Sequence, residues 1–159
     1  MGPGSPVMGE TPRVLVVQGP NLNLLGTREP AVYGAMTLPE VQSMLDAEAR
    51  GLGVTLAHLQ SNHEGVLVDR IHQARANAEQ GIIINPAGLG HTSVVLLDAL
   101  IGVGLPFVEV HISNIHAREP FRHRTLLSGH ARGVIAGFGV RGYTLGLRGL
   151  VSHLRSAPG

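Results

Sequence analysis

RVLVVQ at residues 13–18 and GIIIN at residues 81–85 are short apolar runs that decide the fold. Such runs, rich in β-branched residues, are typical of strands that are buried on both faces. Further strands are predicted at 54–60, 106–111 and 133–137. Helical patterns at 37–52, 64–78, 93–103 and 142–154 separate the five strands. Strands that alternate with helices in this way predict a parallel sheet covered on both sides.

Local signals support these boundaries and the order of the strands. Thr37 and Glu40 form a capping box at the start of the first helix, and Gly53 follows its last residue. Leu67, Ile71 and Ala74 share one face of the second helix. Because crossovers between parallel strands are right-handed, we expect a flavodoxin-like, doubly wound α/β sheet of five strands in the order 2-1-3-4-5.

Length and end composition predict one domain. A chain of 159 residues fits a single domain, which we place at residues 13–155. Residues 1–12 are rich in Gly and Pro, and we interpret them as a disordered lead-in. We find neither a signal peptide nor an apolar segment of membrane-spanning length. The absence of cysteine fits a reducing compartment, so we expect a cytoplasmic protein without contact to a membrane.

The composition excludes several kinds of chemistry. With no cysteine there is no thiolate nucleophile, disulfide framework or cysteine zinc site. All twelve Lys+Arg positions are arginine, which excludes Schiff-base catalysis and a P-loop lysine. A net charge of +1 with 14% charged residues argues against nucleic acid as a partner. The 43% hydrophobic content favours a buried interface between subunits.

Three strand ends carry polar residues where the topology predicts a ligand. In doubly wound sheets, ligands bind beyond the carboxyl ends of the strands, near the switch in strand order. Residues 19–23 (GPNLN), 85–88 (NPAG) and 109–114 (EVHISN) follow or end the first, third and fourth strands. Each segment alone could be an ordinary loop, but the three together predict a site at this edge.

The fourth strand offers a candidate acid. Glu109, His111 and Ser113 are spaced by two and share one face of an extended segment, so the carboxylate can orient the imidazole as a general acid. A purely structural Glu–His pair remains the alternative. Residues 116–124, which are rich in arginine and histidine, suggest an anionic ligand such as a carboxylate. Most of these side chains could equally form a solvated basic face.

The loop at 19–36 is longer than a connection requires, and such loops are often lids. It contains Arg28 and Tyr33. A nearby guanidinium can lower the pKa of a phenol and so make a tyrosine usable as a base. Taken alone, these two residues favour the plainer interpretation of a packing tyrosine and a surface arginine.

Five stretches resemble the signature of the type II 3-dehydroquinate dehydratases. They are QGPNLNLLGTREPAVYGA at 18–35, QSNHEG at 60–65, INP at 84–86, GHTS at 90–93 and EVHISNIHARE at 109–119. The resemblance implies a lyase of the predicted fold that converts the anionic 3-dehydroquinate into 3-dehydroshikimate. It implies a place in the shikimate route to chorismate and the aromatic amino acids, or in quinate catabolism. It also implies a homododecamer built as a tetramer of trimers, with no metal and no organic cofactor.

The resemblance assigns the catalytic roles. Tyr33 would remove the axial C2 proton, and Arg28 would hold Tyr33 as tyrosinate. Asn21 would position a water against the enolate oxygen. His111 would protonate the departing C1 hydroxyl, with Glu109 orienting its ring.

Six further residues would bind the substrate according to the same resemblance. Asn85 would lie near the departing hydroxyl, and the Ile112 backbone and Ser113 would hold the carboxylate. His91 and Arg122 would contact the ring hydroxyls. Asp98 would reach the site of a neighbouring subunit. The chain departs from common family residues at Gly90, Leu97, Pro120 and Gly129.

Two other classes are compatible with parts of the pattern. A flavodoxin-like module for FMN would require a phosphate loop rich in hydroxyls and glycine, whereas GPNLNLLG supplies amides and leucines. Aromatic residues, which would flank a flavin, make up only 3% of the chain. A metal-dependent hydrolase could use His111 and His116, but the sequence offers no convincing third ligand.

Overall fold

The computed structural model describes residues 11–27, 31 and 35–156. Its sheet has five parallel strands in the order β2-β1-β3-β4-β5, so the predicted α/β fold is confirmed. The strands are β1 (Arg13–Gln18), β2 (Thr55–Gln60), β3 (Gly81–Asn85), β4 (Phe107–His111) and β5 (Gly133–Ala136). The longer helices in the described residues are α1 (Leu38–Leu52), α2 (Glu64–His72), α3 (Val94–Val103) and α4 (Arg141–Arg155). Most of the predicted lead-in, residues 1–10, lies outside the described part.

Local capping explains where α1 begins and ends. The side chain of Thr37 accepts a hydrogen bond from the backbone N–H of Glu40, which satisfies one of the donors exposed at a helix start. Gly53 closes the helix with a φ of 73°, a left-handed conformation that glycine adopts without a steric penalty. Both signals were predicted from the sequence, and both boundaries of α1 agree with the prediction.

The second helix is shorter than predicted, ending at His72 rather than near residue 78. Glu79 is buried and pairs with Arg70 through two hydrogen bonds of 2.8 and 2.7 Å. Residues 73–78 form turns, with Ala78 at a φ of 59°, and these turns bring Glu79 back to Arg70. The three predicted apolar residues, Leu67, Ile71 and Ala74, are all fully buried, but Ala74 lies beyond the end of α2.

Two apolar layers cover the two faces of the sheet. Val14 and Val16 of β1 point to one face, where they pack with residues of α1 and α4. Leu15 and Val17 point to the other face and pack with residues of α2 and α3. This alternation follows from the twofold period of a strand, and β1 is buried from Val14 to Gln18 because both faces are covered.

The strand order brings the ends of β1 and β3 together. The backbone N–H of Gly19 donates to the carbonyl of Asn85 at 2.8 Å. A Cβ at Gly19 would lie 2.5 Å from the carbonyl oxygen of Pro86, so no larger residue fits here without movement of the backbone. The loops after β1 and β3 therefore meet at one edge of the sheet. None of the described helices is long and apolar enough to span a membrane.

Replacing Gly19 by alanine should destabilise the protein. The new Cβ would overlap backbone atoms of Pro86, and overpacking of this kind costs about 1–3 kcal/mol. Gly51 in α1 is the matched control, because its Cβ would meet no atom within 4 Å. We expect Gly51→Ala to stabilise the protein by about 0.5–1 kcal/mol. Urea unfolding measures both changes, and equal stability of the two variants would contradict the close approach.

Candidate active site

A cavity opens at the carboxyl ends of β1, β3 and β4, where the sequence predicts the ligand site. The apolar part of its lining comes mainly from leucines of the loop after β1 and from Ile115. The other lining residues carry amide, imidazole, hydroxyl and guanidinium groups. The predicted site residues that line it are Asn21, Asn85, His91, His111, Ile112, Ser113 and Arg122.

Glu109 and His111 form a buried pair at the end of β4. The Glu109 side chain is 0% exposed, and its Oε2 contacts Nε2 of His111. Its other oxygen, Oε1, accepts hydrogen bonds from Ser128 Oγ at 2.8 Å and from Thr125 Oγ1 at 3.1 Å. Burial alone would raise the pKa of Glu109, but the contact with His111 and the two hydroxyls hold it below its usual range. The carboxylate therefore stays ionised and orients the ring of His111.

His91 is oriented by the segment 124–128, which also supplies the hydroxyls of Thr125 and Ser128. Its Nδ1 lies 2.7 Å from the carbonyl oxygen of Arg124. A carbonyl only accepts, so Nδ1 carries the hydrogen, and Nε2 of the neutral ring is left as an acceptor. The backbone N–H of Leu126 donates to the carbonyl of Gly90 at 2.8 Å, which fixes the segment beside His91. The two imidazoles stack with their centroids 6.3 Å apart.

The loop of Asn21 is held by the side-chain amides of Gln60, the last residue of β2, and Asn62. Its backbone is left-handed, with a φ of 70°, and its N–H donates to Oδ1 of Asn62 at 2.9 Å. Nε2 of Gln60 donates to the same oxygen at 3.1 Å and to the carbonyl of Gly19 at 3.2 Å. The QSNHEG stretch thus holds the loop that carries Asn21.

Two guanidinium groups give the cavity a positive side. Arg118 and Arg122 both line it, and Nη1 of Arg118 donates to Oγ of Ser113 at 3.2 Å. Nε of Arg122 donates to Glu119 at 2.8 Å, and this contact is the main reason that the pKa of Glu119 lies below its usual range. Ionised Glu119 orients Arg122, and the cavity is suited to a small anion.

The structure does not bring every predicted residue to the cavity. Asp98 lies on the exposed face of α3, away from the cavity of its own chain. Arg28 and Tyr33 lie outside the described residues. Among the residues that are described, no group of three or more His, Asp or Glu side chains could hold a metal ion.

Several residues that serve the site were not predicted from the sequence. Arg118 was predicted only as part of the basic segment 116–124 and not as a residue that contacts Ser113. Thr125 and Ser128 lie 16 and 19 residues from Glu109 in sequence, and no local pattern links them to it. Tyr143, on α4, hydrogen-bonds Asn85 across 58 residues and was likewise not predicted.

The departures from common family residues fit their surroundings. A Cβ at Gly90 would lie 2.7 Å from Cγ of Pro86, so glycine suits the close packing found here. Pro120 begins a short 3-10 turn that ends at Arg122, a position where proline is favourable because its missing N–H is not needed. Leu97 packs against the core layer of α2 and α3.

Removing the hydroxyls of Thr125 and Ser128 should lower the stability of the protein in acid. Thr125→Val with Ser128→Ala leaves Oε1 of Glu109 without these donors, which costs about 1–3 kcal/mol for a buried charged acceptor. The pKa of Glu109 then rises. Because the pKa of Glu109 is lower in the folded protein than its ordinary value of 4.5, the ionised carboxylate stabilises the fold above pH 4.5. This stabilisation is lost as the pH falls through the lowered pKa. Acid unfolding, followed by circular dichroism, should therefore occur at higher pH in the double variant.

Ser152→Ala is the control for this experiment, because Ser152 is exposed on α4 and is not a hydrogen-bond partner of Glu109. Its acid unfolding should match that of the parent protein. An unchanged acid midpoint in the double variant would show that Thr125 and Ser128 do not support the ionised carboxylate.

Comparison with known proteins gives one consistent family. Residues 12–151 match the family model of class II dehydroquinases. The 3-dehydroquinate dehydratase of Yersinia enterocolitica is 57% identical over 92% of this chain and 97% of its own length. The catabolic 3-dehydroquinase of Phaeosphaeria nodorum is 55% identical over 89% and 93%. The structure of type II dehydroquinase from Propionibacterium acnes superposes with a TM-score of 0.85 at 41% identity, covering 89% and 97%. The chain therefore belongs to the class II dehydroquinase family.

Proposed function

We propose that the protein is a 3-dehydroquinate dehydratase, which removes water from 3-dehydroquinate to give 3-dehydroshikimate. The observation that carries this proposal is the His111 imidazole. It is held by an ionised, buried carboxylate and opens onto a cavity with two guanidinium groups. Such a cavity offers a small carboxylate both a positive partner and a proton donor. Membership of the dehydroquinase family supports the assignment.

The elimination begins with loss of a proton next to the ketone. On the resemblance noted above, Tyr33 is the base that takes the axial C2 proton, and Arg28 stabilises its phenolate form. The electrons of the C–H bond move to the ketone oxygen and give an enolate. Asn21, whose backbone N–H is hydrogen-bonded to Asn62, positions a water that donates to this oxygen.

The second step expels the hydroxyl at C1. The Nε2 side of His111 is occupied by Glu109, so Nδ1 of the imidazolium is the nitrogen that donates to the departing oxygen. The enolate electrons form the C1–C2 double bond, and the C1–O pair leaves with the oxygen as water. The base acts on the opposite face from His111, which makes the elimination anti. No metal, Schiff base or organic cofactor takes part.

Polar groups of the cavity bind the remaining atoms of the substrate. The backbone N–H of Ile112 and the hydroxyl of Ser113 hold the carboxylate, with Arg118 next to Ser113 adding positive charge. His91, which has Nε2 as an acceptor, takes a hydrogen bond from a ring hydroxyl. Arg122 contacts another ring hydroxyl, and Asn85 lies near the departing one.

Asp98 completes a neighbouring subunit's site in this proposal. It lies on a face of α3 that exposes three apolar side chains, Val94, Val95 and Ile101, with half or more of each in contact with solvent. An apolar helix face of this kind is suited to an interface with a second copy. We propose trimers that assemble further into a dodecamer, as the family resemblance implies. A chain without cysteine suits the cytoplasm, and the activity serves either the shikimate route or quinate catabolism.

The direct test mixes the purified protein with 3-dehydroquinate and follows the ultraviolet absorbance of the conjugated enone product. We expect absorbance to rise without added metal or cofactor. The rise should persist with a chelator, and after borohydride treatment in the presence of substrate. A folded protein that produces no enone would contradict the proposed function.

Loss of either proton-transfer group should remove turnover. General acid or base catalysis contributes about 10²–10⁴-fold, so His111→Ala and Tyr33→Phe should each lower kcat by at least that order. His130→Ala is the control, because His130 is exposed and does not line the cavity. Unchanged kcat in either site variant would remove that residue from its proposed role.

A charge on the apolar face of α3 should disrupt the assembly. Ile101→Glu places a carboxylate where a partner subunit would pack, so sedimentation should show smaller species than the parent protein. Ser43→Glu adds the same charge to an exposed position of α1 and should not alter the mass. An Ile101→Glu variant of unchanged assembled mass would show that the interface lies elsewhere.

A further inference from the structure

Three buried polar side chains form a chain of hydrogen bonds behind the cavity. Gln18 ends β1, Asn85 ends β3 and Tyr143 lies in the first turns of α4. Their exposures are 0%, 3% and 0%. The Tyr143 hydroxyl donates to Oε1 of Gln18 at 2.6 Å and accepts from Nδ2 of Asn85 at 2.8 Å. Only Asn85 of the three lines the cavity.

The backbone of Ala87 sets the direction of this chain. Its N–H donates to Oδ1 of Asn85 at 3.1 Å. An N–H cannot accept, so the oxygen of the amide faces Ala87 and its nitrogen faces Tyr143. Ala87 adopts a φ of 52°, an uncommon conformation for a residue other than glycine, and strained backbone of this kind is often found at functional sites.

The order of donors leaves one group of the amide for a ligand. Nδ2 has two hydrogens, and one of them is used by Tyr143. Oδ1 is held by Ala87. The second Nδ2 hydrogen is the donor that Asn85 offers to the cavity. With the amide reversed, the oxygen would face Tyr143 and the nitrogen would face the N–H of Ala87, leaving two donors opposed.

We propose that Tyr143 is a positioning residue that, together with Gln18, fixes Asn85 as a hydrogen-bond donor to the oxygen leaving C1. This inference rests on the proposed dehydratase function and deepens it. Tyr143 acts only through Asn85, because its own hydroxyl is fully buried and does not reach the cavity. Burial also raises the pKa of Tyr143, and the hydrogen bonds to Asn85 and Gln18 oppose this only in part. The phenol therefore keeps the proton that it gives to Gln18.

A donor at this position suits the second step of the elimination. As the C1–O bond breaks, its electron pair collects on the oxygen, which takes one proton from Nδ1 of His111 and departs as water. An N–H aimed at this oxygen stabilises the charge that develops before the proton arrives. An acceptor in the same place would instead repel the developing charge. The orientation of the Asn85 amide therefore affects turnover more than initial binding.

The test is a double-variant cycle with Tyr143→Phe and Asn85→Ala, measured as kcat and KM for 3-dehydroquinate. Removing an oriented donor costs about a hundredfold or more in kcat, which is the expectation for Asn85→Ala. Tyr143→Phe removes the partner of Nδ2 and leaves the amide held by Ala87 alone, so it should lower kcat about tenfold, with a smaller effect on KM. The double variant should be no worse than Asn85→Ala alone. Losses that multiply in the double variant, or an unchanged kcat in Tyr143→Phe, would overturn the proposal.

Two further variants separate orientation from loss of packing. Asn85→Asp keeps the shape of the side chain but replaces the donor by an acceptor, so its kcat should fall as far as that of Asn85→Ala. Full activity in Asn85→Asp would overturn the proposal. Val151→Ala removes buried apolar atoms from the same helix without touching the hydrogen-bond chain. It should lower stability and leave kcat unchanged, whereas a tenfold loss of kcat there would make the Tyr143 effect merely structural.

One measurement needs neither a variant nor activity. In the parent protein labelled with 15N-asparagine, the Nδ2 hydrogens of Asn85 should show a nuclear Overhauser contact to the ring of Tyr143. A contact to the amide hydrogen of Ala87 instead would mean the reverse orientation and would overturn the proposal. If the parent protein does not convert 3-dehydroquinate, the proposed function fails whatever the amide orientation. If it does and Tyr143→Phe keeps full kcat, the positioning role alone fails.

Discussion

A fully buried carboxylate inside a parallel sheet is the constraint on which the rest of the site depends. Glu109 lies on β4 with neighbours on both sides, and a charge in this position is tolerated only when its oxygens are satisfied. His111 meets one oxygen, and the hydroxyls of Thr125 and Ser128 meet the other. The requirement that keeps Glu109 ionised therefore also fixes the orientation of the imidazole.

The same constraint reaches the other side of the cavity. The segment that supplies the two hydroxyls contains the carbonyl of Arg124, which determines the tautomer of His91. Its hydrogen bond to Gly90 ties it to the turn after β3. One segment thus orients two imidazoles, one at the end of β4 and one in the turn after β3. Stability and function are coupled here, because the segment that satisfies the buried charge of Glu109 also orients the two imidazoles of the cavity.

The parallel sheet supplies the second ordering principle. It places the carboxyl ends of β1, β3 and β4 side by side, so residues far apart in sequence share one edge. The close approach of Gly19 to Pro86 and the buried chain through Tyr143 join the ends of β1 and β3. A small anion would therefore meet groups that are already oriented, which limits the reorganisation needed for catalysis.

Local patterns predicted the strands, their order and the edge that carries the site, because apolar runs and capping residues are properties of neighbouring positions. The predicted end of α2 was wrong, because the helix stops at His72 and the chain turns back. The contact of Arg70 with buried Glu79 that accompanies this turn is not visible in the local sequence pattern. Thr125, Ser128 and Tyr143 could not be predicted, because their roles arise from tertiary contacts. Arg28 and Tyr33 were assigned by resemblance alone, since a phenol and a guanidinium in a loop do not by themselves indicate a base.

The measurement that tests the account most directly is the stereochemistry of the proton removed. Samples of 3-dehydroquinate deuterated at C2 in either the axial or the equatorial position are converted by the protein, and the product is analysed by mass spectrometry. An acid at His111 and a base on the opposite face predict loss of the axial label and retention of the equatorial one. Loss of the equatorial label would contradict an anti elimination and the arrangement of acid and base proposed for this site.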